Sequence, residues 1–354
     1  PRFDSLTTQG SPYRNQSYVV LQARTVRRSF RFRGYTMSIR SMMNSTFLHF
    51  NAGELTRMSS SLLKHLQSGG KLFVTLAGAM STAGIGTLLA PMIRKGHIAG
   101  ISCTGANLEE DVFRMMASPS YTSVFDWRNL SLEDEQRLFE NKMNRVTDVC
   151  IPEEAAIRSL ETRLVEAWKD ATQNGMRRLP HAYFFETIRD ESFLNSLKGD
   201  TETSWVLAAA QSDLPVYVPG WEDSTMGNIF AARTIEGEIE SDCVLSGIEY
   251  MRHLASWYQK QTVPLAFLQI GGGIAGDFPI CVVPMLNQDL EQEVPLWSWF
   301  GQISESSPSY GGYSGAPPSE KITWGKIDSA TPMFIVESDA TIVAPLLFAY
   351  ILNL

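Results

Sequence analysis

Residues 71–117 read KLFVTLAGAMSTAGIGTLLAPMIRKGHIAGISCTGANLEEDVFRMMA, and the fold turns on how this stretch is divided. "KLFVTL" (Lys71 to Leu76) is an apolar run of strand length, and "IAGISCTG" supplies a second short strand. Each runs into a turn of small residues and then a helical segment, the first closed by Gly96 and the second reading "ANLEEDVFRMMA". Two strand–turn–helix units in succession predict a parallel sheet with helices on its faces, because parallel strands need a crossover of helix size.

The same grammar extends in both directions. Upstream, apolar residues at helical spacing from Leu55 to Leu66 predict a helix ended by Ser68-Gly69-Gly70. Downstream, Trp205 to Ala210 reads as a helix, "LPVYVPG" as a strand and "WEDSTMGNIFAA" as a turn entering a helix. After an amphipathic segment from Ser246 to Gln259, "PLAFLQI" reads as a buried strand leading to Gly271-Gly272-Gly273, and "PMFIVES" with "DATIVAPLLFAYIL" closes the chain as strand and helix. The expectation is one α/β domain over residues 41–354 with a charged, mainly helical insertion around 111–200.

With 354 residues, 44% of them hydrophobic, the chain can bury a large core. No apolar run reaches the roughly 18 residues of a membrane span, so a soluble, cytoplasmic protein is expected. The net charge of −8 argues against a general nucleic-acid binder and suits a cationic metabolite. Cys103, Cys150, Cys243 and Cys281 lie far apart, as reduced thiols do, and the five histidines show no zinc spacing. The first 40 residues hold eight arginines against the single acid Asp4, which leaves −15 on residues 41–354. Residues 1–40 are read as a basic extension, either an organellar targeting segment or a tail outside the chemistry.

Four predicted strand ends carry glycine, small or acidic residues: Gly78 to Thr82, Thr104 to Glu110, Pro219 to Asn228 and Gly271 to Asp277. In open α/β sheets ligands bind beyond the carboxyl ends of the strands, and glycine lets backbone amides approach a pyrophosphate. Gly271, Gly273 and Gly276 formally fit G-x-G-x-x-G, a fit that tight turns also explain. Glu109-Glu110-Asp111 either complements a helix dipole or points into the crevice to hold a cation or a ribose hydroxyl. Asp223 or Ser224 either caps the next helix or joins Trp221 and Glu222 around a charged amine. In "ITWGKI" (Ile322 to Ile327), Lys326 is either a surface lysine after a turn or a desolvated amine nucleophile, with Glu320 four residues before Trp324.

Six ordered blocks, "LAGAMSTAG", "CTGANLEED", "PGWEDSTMGN", "LQIGGGIAGDFP", "GGYSGAPPSEKITWGKI" and "ESDATIVAPLL", resemble the deoxyhypusine synthase family, especially its bacterial deoxyhypusine synthase-like branch. The resemblance runs from about His49 to Leu354. It implies a Rossmann-like, mostly parallel sheet with helices on both faces, in a homotetramer with NAD and substrate sites at subunit interfaces. The implied chemistry is aminoalkyl transfer between polyamines or diamines: NAD removes a hydride from an amine, a lysine captures the four-carbon unit, and an acceptor amine displaces it.

The resemblance matches Lys326 to the catalytic lysine, and Glu320 and Trp324 to the residues around the amine. It implies substrate-binding roles for Glu109 and Glu110, and NAD binding by Gly78, Ala79, Met80, Ser81, Thr82, Thr104, Gly105, Ala106, Glu110, Asp223, Gly272, Ile303, Ser304, Asp339 and Ala340; no metal is implied. Three positions depart from the family pattern: Asp277 replaces a histidine, Asn228 an aspartate and Tyr313 an acid. The substrate-facing residues therefore differ while the reaction core is kept. Homospermidine synthase-like transfer to a small diamine is favoured over modification of a protein lysine with spermidine as donor, and a non-catalytic polyamine- or NAD-binding protein is the reading of another class.

Overall fold

The structure, a computed structural model, describes residues 31–32, 35–308 and 311–354. The chain divides into two compact units, Pro1–Met37 and Ser38–Leu354. In the first, Arg31–Phe32 pairs antiparallel with Tyr35–Thr36, and residues 1–30 of the arginine-rich start lie outside the described residues. Arg40, read from sequence as part of the extension, belongs to the second unit, where its guanidinium donates to the carbonyls of Tyr350 (2.9 Å) and Ile351 (3.0 Å) at the end of the last helix.

The second unit is built on six strands: β1 (Lys71–Leu76), β2 (Ile98–Cys103), β3 (Val216–Tyr217), β4 (Leu265–Ile270), β5 (Trp299–Ile303) and β6 (Met333–Val336). All pair in parallel, in the order β6-β5-β4-β1-β2-β3. This is the Rossmann order, and the chain reverses direction across the sheet between β1 and β4. Near-continuous burial of the central strands requires helices on both faces. On one face Phe73, Phe267 and Phe300 stack across three strands at centroid spacings of 5.8 and 5.9 Å, and Phe73 meets Trp257 of the helix Gly247–Gln259. On the other, Trp299 donates its indole N–H to Ser61 of the helix Phe50–Gln67 at 3.1 Å.

One residue before the strands end, the apolar face turns polar. Ser102, Thr75, Gln269 and Gln302 are in register across β2, β1, β4 and β5, and all four are buried. The two glutamines hold the loops beyond the sheet: Gln269 donates to the Gly271 carbonyl (3.1 Å) and Gln302 to that of Ser314 (2.7 Å).

Helices follow the strand ends as α1 (Gly86–Arg94), α2 (Gly105–Ala117), α3 (Thr225–Ile235), α4 (Gly273–Ile280) and α5 (Ala340–Leu352). Pro279 sits inside α4 without preventing it. The region after α2 combines the helices Ser159–Gln173 and Pro180–Arg189 with an antiparallel sheet of Thr122–Ser123, Val149–Pro152 and Met143–Val146, whose short strands lack the apolar runs that mark β1 and β4. Among the described residues no helix is long and apolar enough to cross a membrane.

Candidate active site

Lys326 follows the short helix Glu320–Thr323 and the tight turn at Gly325, whose φ of +66° favours glycine. That turn folds the side chain inward, leaving the residue 6% exposed. Its Nζ donates to Asp277 Oδ1 at 3.3 Å and lies over the rings of Tyr313 (5.4 Å) and Trp324 (5.7 Å). Asp277, on α4, is half-exposed and serves as the counter-ion of the lysine. A cavity of about 320 Å³ opens here, lined in part by Asp277, Tyr313, Glu320, Lys321, Trp324 and Lys326.

A second lysine stands in the same wall. Lys321 is 2% exposed, its Nζ lies 4.9 Å from the Tyr313 ring centre and 5.1 Å from that of Phe300, and burial together with the Lys326 charge pushes its pKa down to about 8. Nothing in the local sequence marks it, since "PPSEK" reads as a solvated turn; its burial depends on Phe300 from β5.

The switch point is formed by the turns after β1 and β4. Gly78 (φ +59°) and Gly271 (φ +78°) adopt left-handed conformations there, and a Cβ on Gly272 would fall 1.8 Å from the hydroxyl oxygen of Ser314. Gly272 is therefore held to glycine by Ser314, which occupies the space a Cβ would need. Beside it a cavity of about 290 Å³ is lined by Gly271, Gly272, Ile303, Ser304, Ser314, Asp339 and Ala340, among others, so three predicted cofactor segments, Gly272, Ile303 with Ser304, and Asp339 with Ala340, converge. Ser314 accepts from the Gly273 amide at 3.1 Å, which ties this cavity to the loop carrying Tyr313.

The β1 turn has its own organiser, Asn107 of α2. Its amide donates to the carbonyls of Leu76 (3.2 Å), Ala77 (3.2 Å) and Gly78 (2.8 Å), while its oxygen accepts from the Ser81 amide at 2.9 Å. Thr104 caps α2 and donates to the Gly78 carbonyl at 2.8 Å. Gly105 is in close quarters with Ser224, and Ala106 follows it at the start of α2. Ala79 lies in the same turn, whereas Met80 and Ser81 are buried beneath it, Ser81 accepting from the Trp205 indole at 2.9 Å.

The acidic triplet does not sit at the start of α2. Because α2 begins at Gly105, Glu109, Glu110 and Asp111 fall beyond its first turn and do not meet the helix dipole at close range. Glu109 accepts from the amides of Thr225 (2.9 Å) and Met226 (2.8 Å), closing the start of α3. Glu110 accepts from Thr82 at 2.7 Å, and Asp111 from Ser204 and the Val206 amide. Burial raises all three pKa values, that of Asp111 to about 6. Ser224 caps α3, while Asp223 and Asn228 line a separate cavity of about 460 Å³ with Arg158. A further cavity of about 870 Å³, bordered by Arg178, His181 and His253, contains none of the predicted residues. Among the described residues no cluster suits a metal ion.

A parallel sheet in the Rossmann order, with glycine turns at its switch point and a buried lysine lining a cavity beyond it, defines an α/β protein of the dinucleotide-binding fold type. Residues 39–351 match the family model described as deoxyhypusine synthase. The chain belongs to the deoxyhypusine synthase family, and membership supports a transferase of the aminobutyl type. It is 29% identical over 328 residues to a deoxyhypusine synthase-like protein of Cyanothece sp., covering 90% of this chain and 80% of that one. It is 27% identical over 309 residues to a "Probable deoxyhypusine synthase 1" of Archaeoglobus fulgidus, covering 86% and 90%. A solved structure described as "a putative deoxyhypusine synthase from Entamoeba histolytica" shares the fold at a TM-score of 0.53 and 11% identity, covering 88% of this chain and 91% of that one.

Proposed function

We propose that the protein is an NAD-dependent aminoalkyl transferase acting on polyamines, homospermidine synthase-like, with Lys326 as the covalent nucleophile. The observation that carries this reading is the placement of Lys326: a buried amine, paired to Asp277 and flanked by Tyr313 and Trp324, one loop away from the glycine-lined switch point. The residues at that switch point fit a dinucleotide, with Gly272, Ile303, Ser304, Asp339 and Ala340 around one cavity and Gly78 and Thr104 shaping the turn beside it. Held by these residues, NAD would supply hydride removal from the donor amine and hydride return to the product.

The protein's own groups supply the rest. Glu320 and Trp324 hold the cationic end of the amine by charge and by the indole face. Lys326 Nζ, its proton passed to Asp277, bonds to the imine carbon of the oxidised donor as that carbon's bond to the departing amine breaks. The nitrogen of the acceptor then bonds to the same carbon, Lys326 leaves as a free amine, and the returned hydride saturates the product. Glu109 and Glu110 serve by holding α3 and Thr82 in place beneath the crevice. A deoxyhypusine synthase that transfers the group to a protein lysine shares every step before the acceptor, and the open rim, with Trp324 62% exposed, favours keeping this second reading.

Incubation with NAD and candidate polyamines, borohydride reduction and peptide mass spectrometry test the reading. A four-carbon adduct on Lys326, lost in Lys326→Arg, is expected. No adduct with any amine would overturn the covalent mechanism, and transfer of label from spermidine to a purified acceptor protein would select the second reading.

A further inference from the structure

Around Lys326 the charges do not match a purely cationic ligand. Among the described residues, four charged side chains line the cavity: Asp277, Glu320, Lys321 and Lys326. Asp277 is engaged by Lys326 at 3.3 Å, which leaves Glu320 as the unengaged carboxylate among the described residues of this chain that line the cavity. A diamine or longer polyamine brings at least two positive ends, and the second would face Lys321.

Lys321 itself lacks an acceptor. Its Nζ is buried between the rings of Phe300 and Tyr313 with no hydrogen-bond partner, and the buried Tyr313 hydroxyl has none either. Two unmatched buried donors in one wall are costly, and burial lowers the Lys321 pKa as that cost implies. An acceptor oxygen entering between them would satisfy both, and a charged one would do so most strongly.

We infer that this cavity takes a ligand bearing a carboxylate as well as an amine, with Lys321 and the Tyr313 hydroxyl receiving the carboxylate and Glu320 with Trp324 the ammonium. The inference rests on the reading of the cavity as the amine site and names the class of one of its two amines: an amino acid or ω-amino acid in place of a plain diamine. A cavity of about 320 Å³ accommodates a ligand of that size.

Calorimetric titration of the full chain with NAD present compares putrescine with 4-aminobutyrate, which has a carboxylate in place of one aminomethyl end. The wild type is expected to bind 4-aminobutyrate at least roughly tenfold more tightly. Lys321→Met should abolish that preference while keeping or improving putrescine binding, and Tyr313→Phe, which removes only the hydroxyl, should reduce it in the same direction. A wild-type preference for putrescine, absence of 4-aminobutyrate binding, or equal weakening of both ligands in Lys321→Met would overturn the inference. The Lys326 adduct experiment stands apart, since adduct formation from a diamine together with any of those results would sink the carboxylate subsite and leave the transferase reading intact.

Discussion

Asp111 is 3% exposed and accepts from Ser204 and the Val206 amide, yet burial outweighs these bonds and lifts its pKa from 3.8 to about 6. A carboxyl with a raised folded-state pKa binds its proton more tightly in the native protein than in the unfolded chain. Its contribution to stability is therefore fully present below about pH 4 and is lost as pH rises through about 6, a change on the order of 3 kcal/mol. Urea unfolding from pH 4 to pH 7 should show this loss in the wild type and a flatter profile in Asp111→Asn; identical slopes would refute it. The contrast with the lysines shows what single residues reveal in sequence. Lys326 was legible because Trp324, Gly325 and Glu320 surround it in one block. Lys321 was not, because the rings that bury it come from β5 and from the loop at Tyr313.

At the level of elements, the strands were readable wherever burial on both faces leaves an unbroken apolar run, as in β1 and β4. The helix after β2 was readable too: read from Ala106, it begins one residue earlier at Gly105, capped by Thr104. What the pattern did not show is where the carboxylates go, since Glu109 and its neighbours lie beyond the first turn and reach other elements. Glu109 then satisfies two amides at the start of α3 from outside it, at 2.9 and 2.8 Å. Removing that acceptor leaves buried donors unpaired. Glu109→Ala should therefore lower stability by about 1–3 kcal/mol, read as a lower urea midpoint at unchanged slope, and Glu109→Gln, which keeps an acceptor, should lose less. A Glu109→Ala midpoint equal to that of the wild type would show that α3 does not depend on this cap.

For the whole molecule, the strand order could not be read from the pattern of runs, because the long insertion between β2 and β3 and the crossover from β3 to β4 hide which strands adjoin. What the order does is bring the turns after β1 and β4 together, with Ser314 tying the cofactor-type cavity to the Tyr313 loop. The lysine cavity is nevertheless unfinished on one side: Trp324 is 62% exposed, Glu320 is exposed and Asp277 is half-exposed. A catalytic amine and its intermediate need water excluded, and large apolar side chains such as Ile342 at the start of α5 also stand in solvent. In the homotetramer that the family resemblance implies, a second subunit would cover this rim. Sedimentation at micromolar concentration should give about four times the chain mass of 39.5 kDa. On dilution to the point of dissociation, Lys326 adduct formation should fall while far-ultraviolet circular dichroism stays constant. A monomer that traps the adduct at the same rate as concentrated protein would show that one chain completes the site by itself.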